Sequence, residues 1–584
     1  MNGNNTEKDL GAYDLDEKTH GATFHIEHKD KYGMHGAEAE QGEDYEYPEA
    51  LANMPEAPSA EVLRDALLEE QRRGAGYTLL QQCRREWRLL LASSSYVVAN
   101  IGYGFDNGAM NITAAMPAFL IKFGGFDPVT KRLSIASTWI SLWTAMFSLG
   151  LFIGTISCTW TLDRFGPRKV TMAATVFLMA GVAVQVASVT KETLLAGKLL
   201  TGIPLGVIQV AASNFIAESS PARLRGPLAA TIGMANVVGI ILGITTGSQV
   251  IHYAKSDWKS WKFTLAMQWV APALTLVMLP FSTTSPVYLV KRGRPAEAAK
   301  ALVRLHGLQD DVAVKQKLAV IQYAVATEMQ MRPRLEAMTL RELFADGVER
   351  KRTLTSIGLW FCYQAGGNTF TGQGLYFLQQ QGLKITTATN ISLGCLSVSA
   401  IVFLLGGYVM ERVGRRVLFV YFHILHFALM LALGCLGFAI KSNAAAGWAV
   451  AVLINLAIST QLFATGGTAY ALTAEISSVR ARAKTQSLSL FTNKILNFGL
   501  TFAVPYIYQE PGYLGAKTAL IFAGTTALAI VWAFFMVPET AGRSAIDIDA
   551  LYHAGIPPRK FADIDVVTLK RSQSEQGPGH APVV

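Results

Sequence analysis

The sequence Asp163-Arg164-Phe165-Gly166-Pro167-Arg168-Lys169 joins two long apolar segments, and a near copy of it occurs later in the chain. The copy reads Glu411-Arg412-Val413-Gly414-Arg415-Arg416 and begins 248 residues after the first. Each string has an acid, an arginine, one variable residue and a glycine, and ends in basic residues. One such string arises readily by chance, so an internal repeat needs a second, independent pair of motifs.

A second charged pair recurs at nearly the same offset. Glu218 precedes Arg225 by seven residues, and Glu475 precedes Arg482 by the same number, 257 residues further along. Two motifs repeated at matching places indicate that the chain is duplicated. Because the motifs lie between apolar segments, they predict two similar bundles of membrane helices, the architecture of many secondary transporters.

The composition is that of a chain that crosses a membrane many times. Hydrophobic residues make up 51% of its 584 residues and charged residues only 16%, whereas a soluble protein carries about 25% charge. A stretch of roughly 20 apolar residues is long enough to cross a bilayer. We predict an all-α integral membrane protein with twelve transmembrane helices, at 89–110, 138–160, 170–188, 194–216, 228–251, 262–282, 353–378, 389–410, 417–438, 446–473, 485–509 and 517–537.

The charge distribution predicts how these spans are oriented. Residues 1–50 carry 13 acidic and 4 basic side chains, so the net charge of +9 conceals a more strongly basic remainder. The basic residues concentrate in alternate loops, which the positive-inside rule places in the cytoplasm together with both termini. The predicted organisation is an acidic, disordered cytoplasmic tail (1–86), a six-helix bundle (87–282), a cytoplasmic helical linker (283–352), a second six-helix bundle (353–538) and a cytoplasmic tail (539–584).

A carboxylate lies inside the first span. Asp106 follows Gly104-Phe105, and a charge at the centre of a bilayer costs about 2.5–3.5 kcal/mol unless it is paired, hydrated or protonated. Lys198, in the fourth span, is the candidate cation. Because burial disfavours the carboxylate and a nearby cation favours it, moving the cation switches proton binding. The pair is interpreted either as a proton-coupling site or as a structural ion pair between helices.

Paired amides mark two spans of the second bundle. Gln364 and Asn368 are four residues apart, as are Asn493 and Asn497, so each pair is expected to share one helical face. An amide supplies both a donor and an acceptor for a hydroxyl group, and the neighbouring aromatic residues suit the C–H face of a sugar ring. The alternative is that the amides only join helices through hydrogen bonds.

The repeated charges predict a cytoplasmic gate that latches the two bundles together. Positive loop residues alone would be explained by orientation, but acids contribute little to orientation, so the paired acids favour a gate. The residues assigned to the gate are Asp163, Arg164, Arg168, Glu218, Arg225, Glu411, Arg412, Arg415, Glu475 and Arg482.

Other chemistry finds little support in the sequence. No Gly-x-x-x-x-Gly-Lys-Ser/Thr loop for ATP is present, and the five cysteines are not at metal-ligand spacing. His423 and His426 lie in one span without further ligands and are interpreted as a polar core pair. We therefore expect no enzyme activity, no cofactor, no metal and no nucleic-acid partner.

At these motifs the chain resembles the sugar porter family of the major facilitator superfamily, over about residues 88–545. Pro538-Glu539-Thr540-Ala541-Gly542 is similar to the signature that closes the last helix, which adds Glu539 to the gate. Gly104-Phe105-Asp106 resembles the motif whose aspartate marks proton symporters. The resemblance also implies that Asn493 contacts sugar and that Tyr470 replaces a pocket tryptophan. Met116-Pro117-Ala118-Phe119 and the residues around Glu475 resemble the fungal α-glucoside, or maltose-type, branch.

Three departures from the family pattern bear on the substrate. The Pro-Glu-Ser-Pro-Arg motif after the sixth helix is replaced by Thr283-Thr284-Ser285-Pro286-Val287, without its acid and base. Lys198 stands where the family has an arginine, and Gly233 where hexose porters have a glutamine. Hexose specificity is therefore not expected, while a larger or different ligand fits.

The sequence thus predicts a monomeric plasma-membrane transporter that works by alternating access. The leading prediction is proton symport of a sugar, such as an α-glucoside, driven by the proton gradient. Two alternatives remain, a facilitator or exporter of a non-sugar hydroxylated metabolite and a nutrient sensor that does not transport.

Overall fold

The protein is a bundle of long helices in the computed structural model. The structure describes residues 51, 54–55, 57–59, 62–66, 79–127, 132–253, 257, 259–308, 310–334, 340–380, 384–439, 444–461, 467–478, 481–541, 543 and 545–564. Each of the twelve predicted spans contains α-helix within these residues. Seven of the described helices are long and apolar enough to cross a membrane by length and composition alone. The predictions for 1–50 and 565–584 fall outside the described residues.

The N-terminal bundle contains five long helices and one segmented helix. Its elements are α1 (Leu79–Arg85), α2 (Trp87–Ala115), α3 (Pro117–Phe123), the short paired strands β1 (Gly125–Asp127) and β2 (Arg132–Ser134), α4 (Ser137–Phe165), α5 (Pro167–Ala187), α6 (Lys191–Ser219), α7 (Ala222–Tyr253), α8 (Lys259–Ala266) and α9 (Val270–Met278). Short 3₁₀ turns at Met267–Trp269 and Leu279–Phe281 continue α8 and α9, so the sixth predicted span is helical but not regular.

Glycines bring the helices of this bundle into backbone contact. A Cβ atom on Gly104 would lie 1.9 Å from the carbonyl oxygen of Asn236, and one on Gly239 would lie 2.3 Å from that of Ile101. The crossing of α4 and α6 is equally close, since a Cβ on Gly154 would lie 2.0 Å from the carbonyl oxygen of Ile203. Small residues spaced in this way let membrane helices pack at van der Waals distance.

The linker forms four helices on the side of the charged loops. They are α10 (Pro286–Lys291), α11 (Pro295–His306), α12 (Asp311–Arg334) and α13 (Leu340–Ala345). The segment 1–86, predicted to be mostly disordered with a short helix around Ala60–Arg73, is described only in part, and residues 62–66 are helical there. Helix α1 ends it, and Leu51, Leu63 and Ala66 are buried against Ala319 and Ala326 of α12 because these apolar side chains form a common core.

The C-terminal bundle follows the helix order of the first, and its first span is interrupted. Its elements are α14 (Gly347–Ala365), α15 (Asn368–Gly372), α16 (Gly374–Gln380), α17 (Ile385–Val413), α18 (Arg415–Ala439), α19 (Ala444–Thr460), α20 (Gly467–Ile476), α21 (Arg482–Tyr508) and α22 (Thr518–Met536). Helix α23 (Ala545–His553) then packs back on the bundle, where Asp549 lies 2.7 Å from the buried guanidinium of Arg352.

The predicted continuous helix over 353–378 is wrong, because this segment is divided among α14, α15 and α16. It breaks at Gly366-Gly367, where Gly367 has a φ of +79° that other residues rarely adopt.

The two bundles meet at the membrane end opposite the charged loops. Hydrogen bonds between the bundles run from Ser137 Oγ to the Glu510 carbonyl oxygen at 2.6 Å and from Gln379 Nε2 to that of Ala115, also at 2.6 Å. Helix α4 starts at Ser137 and reaches the charged loop at its other end. A core of large buried side chains from both bundles, including Phe119, covers this end.

A buried acid joins the linker to the first transmembrane helix. Glu86 Oε2 lies 2.5 Å from His306 Nδ1, and both side chains are largely buried. Burial raises the pKa of the Glu86 carboxyl, but the hydrogen bond and charge of His306, helped by Lys317 and Arg85, outweigh it and hold the pKa below its ordinary value. The ionised carboxylate therefore stabilises the folded state.

We predict that Glu86→Gln lowers the free energy of unfolding by about 1–3 kcal/mol at pH 7, because it leaves a buried partner without its charged acceptor. A carboxyl group whose pKa is lower in the folded than in the unfolded state stabilises the fold at pH values above its unfolded pKa. This stabilisation is lost as the pH falls through the folded pKa. The difference between the variant and the wild type should therefore shrink below the ordinary value of 4.5. Thermal unfolding in detergent at several pH values measures this, with exposed Glu297→Gln as the control. An equal loss with Glu297→Gln would contradict it.

Candidate functional site

A buried ion pair lies within the N-terminal bundle. Lys198 Nζ is 2.9 Å from Asp106 Oδ1 and 3.0 Å from Oδ2, and the two residues are 2% and 3% exposed. The amide of Gln185 donates to Asp106 Oδ1 at 3.4 Å and to Thr201 Oγ1 at 2.8 Å. The lysine ammonium also lies 5.7 Å from the ring centroid of Phe147. The two residues paired in the sequence analysis are therefore in direct contact, and Gln185 is a third member that the sequence analysis missed.

The position of Asp106 follows from the glycines around it. Gly104 and Gly108 hold α2 against α7, since a Cβ on Gly108 would lie 2.4 Å from the carbonyl oxygen of Ile240. Asp106 lies between these two contacts and meets Lys198 of α6 instead. The glycines thus act through close helix approach, not through a bend, because α2 is continuous over Trp87–Ala115.

The amides of the C-terminal bundle form a direct contact between helices. Gln364 Nε2 donates to Asn493 Oδ1 at 2.6 Å, which joins α14 to α21. Gln364 Oε1 and the indole Nε1 of Trp360, one turn earlier on α14, are both buried without a hydrogen-bond partner among the described residues. Buried polar atoms of this kind are usually hydrogen-bonded, so an unpaired donor and acceptor on one helical face suit a polar ligand.

The predicted pairing of Gln364 with Asn368 on one helical face is wrong. The chain leaves α14 after Ala365, turns through Gly366-Gly367, and starts α15 at Asn368. The four-residue spacing therefore spans two separate helices. Trp360, at i−4 on the same helix, is the residue that shares a face with Gln364.

Asn493 and Asn497 do share one continuous helix, but they contact different bundles. Asn497 Oδ1 accepts a hydrogen bond from Ser148 Oγ of α4 at 3.3 Å, so it lies at the seam between the halves. Tyr470 of α20 is 57% exposed, and its ring meets Trp360 edge-on with centroids 4.5 Å apart. Tyr470 thus presents an accessible aromatic surface beside the two unpaired polar atoms of α14.

The break in the seventh span is held by side chains from other helices, which the sequence analysis missed. His426 Nε2 lies 2.7 Å from the carbonyl oxygen of Gly366 and must carry the proton, because a carbonyl only accepts. Gln461 Nε2 donates to the Tyr363 carbonyl at 2.9 Å, and Thr525 Oγ1 to that of Ala365 at 2.7 Å. The available signal was the Gly-Gly dipeptide. These contacts replace the backbone hydrogen bonds that the break removes.

The charged loop of the C-terminal bundle is anchored by two carboxylates. Glu539 accepts the backbone N–H groups of Arg415 at 2.9 Å and Arg416 at 3.1 Å, which caps the start of α18. The Arg415 guanidinium lies 3.2 Å from Glu475 Oε1. Gly414, with a φ of +97°, leaves the space that Glu539 occupies, since a Cβ there would lie 2.6 Å from Glu539 Oε2.

The matching loop of the N-terminal bundle is anchored differently. The carbonyl oxygen of Arg164 accepts from the Tyr288 hydroxyl at 3.1 Å and from the Arg292 guanidinium at 2.7 Å. Arg168 donates to the Pro280 carbonyl at 2.7 Å. Gly166, with a φ of +78°, faces the Tyr288 ring as Gly414 faces Glu539.

The gate prediction remains untested by these contacts. Each contact described for Arg164, Arg168, Arg415, Glu475 and Glu539 lies within one bundle and its attached segments. Asp163, Arg225 and Arg412 are exposed, and Glu218 is half-buried. The side chains of Glu411 and Arg482 lie outside the described part of the structure.

The geometry defines a multi-pass membrane protein of two related helix bundles with polar groups between apolar helices. A family model described as "Sugar (and other) transporter" matches residues 93–552. The chain belongs to this family of the major facilitator superfamily, whose members are transporters and not enzymes. Residues in groups suited to a metal ion are absent from the described part of the chain.

Individual relatives agree with this assignment. The chain is 32% identical to the MFS transporter fmqE of Aspergillus fumigatus over 82% of this chain and 90% of the relative. It is 26% identical to a general alpha-glucoside permease of Saccharomyces cerevisiae over 98% of this chain and 91% of the relative. The structure of the proton:xylose symporter XylE, at 17% identity, superposes with a TM-score of 0.63 over 80% of this chain and 100% of that protein, which supports the fold.

We predict that Gln364→Ala and Asn493→Ala each weaken substrate binding by roughly 2- to 13-fold, the value of one net hydrogen bond. The loss should differ between ligands, because an amide that binds a sugar contacts particular hydroxyl groups. Half-saturation constants for maltose, sucrose and glucose in well-expressed variants measure this, with Asn455→Ala, whose amide donates within its own helix, as control. An equal loss for every substrate, together with less folded protein, would show that the amides only join helices.

We predict that Glu475→Gln reduces transport while changing the free energy of unfolding by less than about 1 kcal/mol, since partly exposed ion pairs contribute little stability. The side chains of Arg415 and Glu475 are 18% and 31% exposed. Reconstituted vesicles measure the rate, and a cysteine on the cytoplasmic side reports its accessibility to thiol reagents. Glu510→Gln, at the opposite membrane end, is the control. Normal transport by Glu475→Gln would leave this acid without a role in gating.

Proposed function

We propose that the protein is a proton-coupled symporter of a polyhydroxylated small molecule, in the first place a sugar of the α-glucoside class. The observation that carries the proposal is the buried contact between Asp106 and Lys198. A static ion pair gains little in such an environment over apolar packing, so an ionisable pair inside the membrane is a functional site by default.

The pair supplies a proton switch. With Lys198 at 2.9 Å, the Asp106 carboxylate has a counter-charge in direct contact. A helix movement that withdraws the lysine leaves a buried carboxylate without compensation, which then binds a proton. Gln185 donates a hydrogen bond to the same carboxylate.

The substrate site lies between the bundles in this proposal. Gln364 Oε1 and Trp360 Nε1 supply an acceptor and a donor, and Tyr470 supplies an exposed ring for the C–H face of a sugar. Contact between the bundles at one membrane end, away from the charged loops, is what an inward-facing state of an alternating-access cycle requires.

The relatives support the substrate class without fixing it. The yeast relative over nearly the whole length is named as a permease for α-glucosides, and the related structure is that of a proton:xylose symporter. The fungal relative at 32% identity carries no substrate in its name. A facilitator of a hydroxylated metabolite is the second candidate, but facilitated transport does not require a proton-coupling pair such as Asp106 and Lys198. We place the protein in the plasma membrane with cytoplasmic termini, because the basic loops lie at one end.

We predict that Asp106→Asn abolishes uphill accumulation of maltose while exchange across the membrane persists, because the amide keeps the shape but cannot take up a proton. Lys198→Ala should also impair accumulation, since an unpaired Asp106 retains its proton. Uptake into a transporter-null cell, with and without a proton gradient, measures both. Lys191→Ala, at the first residue of the same helix and without a carboxylate contact in the described structure, is the control. Undiminished accumulation by Asp106→Asn would refute the coupling role.

A further inference from the structure

A lysine lies within the membrane segment beside the amide contact. Lys494 follows Asn493 on α21 and is half-buried. Its neighbours at i−3 and i+3, Phe491 and Asn497, lie on the same side of the helix. Phe491 packs on Phe152 with centroids 5.4 Å apart, and Asn497 accepts from Ser148. Lys494 is therefore located where α21 crosses α4, at the seam between the two bundles.

This cation lacks the compensation that the other buried lysine has. Lys198 contacts both oxygens of Asp106, whereas no hydrogen bond or ion pair to Lys494 occurs among the described residues. A basic side chain in a membrane segment is costly unless it is paired or hydrated. Solvent access to the half-buried side chain permits hydration here, and it leaves the ammonium available to an anion.

A second observation concerns the amide contact beside this cation. Gln364, 2% exposed, hydrogen-bonds the neighbouring Asn493 but keeps its own Oε1 unpaired. Successive residues of a helix point about 100° apart, so Asn493 and Lys494 diverge from one point of α21. A molecule that binds at the Gln364 amide and extends around α21 from Asn493 would then meet the positively charged ammonium of Lys494.

We propose that Lys494 binds a carboxylate of the substrate, so that the site prefers an acidic sugar or hydroxy acid to a neutral sugar. The inference rests on the proposed function and specifies the substrate of the same site. The amides contact hydroxyl groups, and the ammonium forms a charge-assisted hydrogen bond to the carboxylate. One proton carried with one carboxylate leaves the transported load without net charge, so the membrane potential does not oppose uptake.

Binding to the full chain in lipid nanodiscs at pH 7 tests the proposal. The probes are maltose, maltobionate and maltobionamide, which differ in the acid but keep the glucosyl unit. The wild type should bind maltobionate at least about 10-fold more tightly than maltobionamide, from the strength of hydrogen bonds to charged groups. Lys494→Gln should remove this preference, while Lys494→Arg retains it. Lys517→Gln is the control. Lys517 lies outside the seam, with its ammonium 4.1 Å from the ring centroid of Phe438.

The outcomes separate this inference from the proposed function. If maltose binds and maltobionate binds no more tightly than its amide, the carboxylate site is refuted and sugar transport stands. If none of the three probes binds, both proposals fall. An unchanged preference in Lys494→Gln would also refute the site and leave the lysine as a side chain that reaches the lipid headgroups. Should Lys494→Gln fail to fold, the comparison of acid and amide in the wild type and in Lys494→Arg decides alone.

Discussion

Backbone contact between glycine-bearing helices is the constraint on which the N-terminal bundle depends. Gly104 and Gly108 of α2 lie against carbonyl groups of α7, and Gly239 of α7 lies against the Ile101 carbonyl group of α2. A side chain at any of these positions would push the helices apart. The contacts therefore fix both the rotation and the height of α2, and with them the position of Asp106. An ion pair with both oxygens near 3 Å from one ammonium needs a helix held in this way.

The C-terminal bundle handles polar groups in another manner. Its seventh span is broken, and the carbonyl groups that the break leaves without a helical partner accept hydrogen bonds from side chains such as His426 and Thr525. Side-chain contacts exchange more readily than backbone packing, because each involves a rotatable bond and one net hydrogen bond of modest strength. In the described structure the first bundle thus holds its acid and base in direct contact, while the second holds the broken span through side-chain hydrogen bonds.

Much of this arrangement could be predicted from the residues. The twelve helical regions follow from apolar length, and the pairing of Asp106 with Lys198 follows from the cost of leaving either alone in a membrane. The contact of Gln364 with Asn493 could not be predicted, because it depends on whether the helix continues after Gln364. The Gly-Gly dipeptide that follows is compatible with a continuous membrane helix or with a break. The side chains that decide between the two, from α18, α19 and α22, come from distant parts of the chain. The roles of the loop charges need a second conformation, which no local pattern supplies.

The two charged loops share their glycine but no longer share their anchor. Gly414 makes room for the Glu539 carboxylate, which needs the backbone N–H groups of Arg415 and Arg416. In the first loop Pro167 has no N–H group to offer, Thr284 replaces the acid, and Tyr288 fills the space beside Gly166. Each repeat has therefore become specialised together with the segment that follows its sixth helix. A chimaera that exchanged only the loops between halves would join each glycine turn to the wrong anchor, so the duplicated parts have lost their modularity.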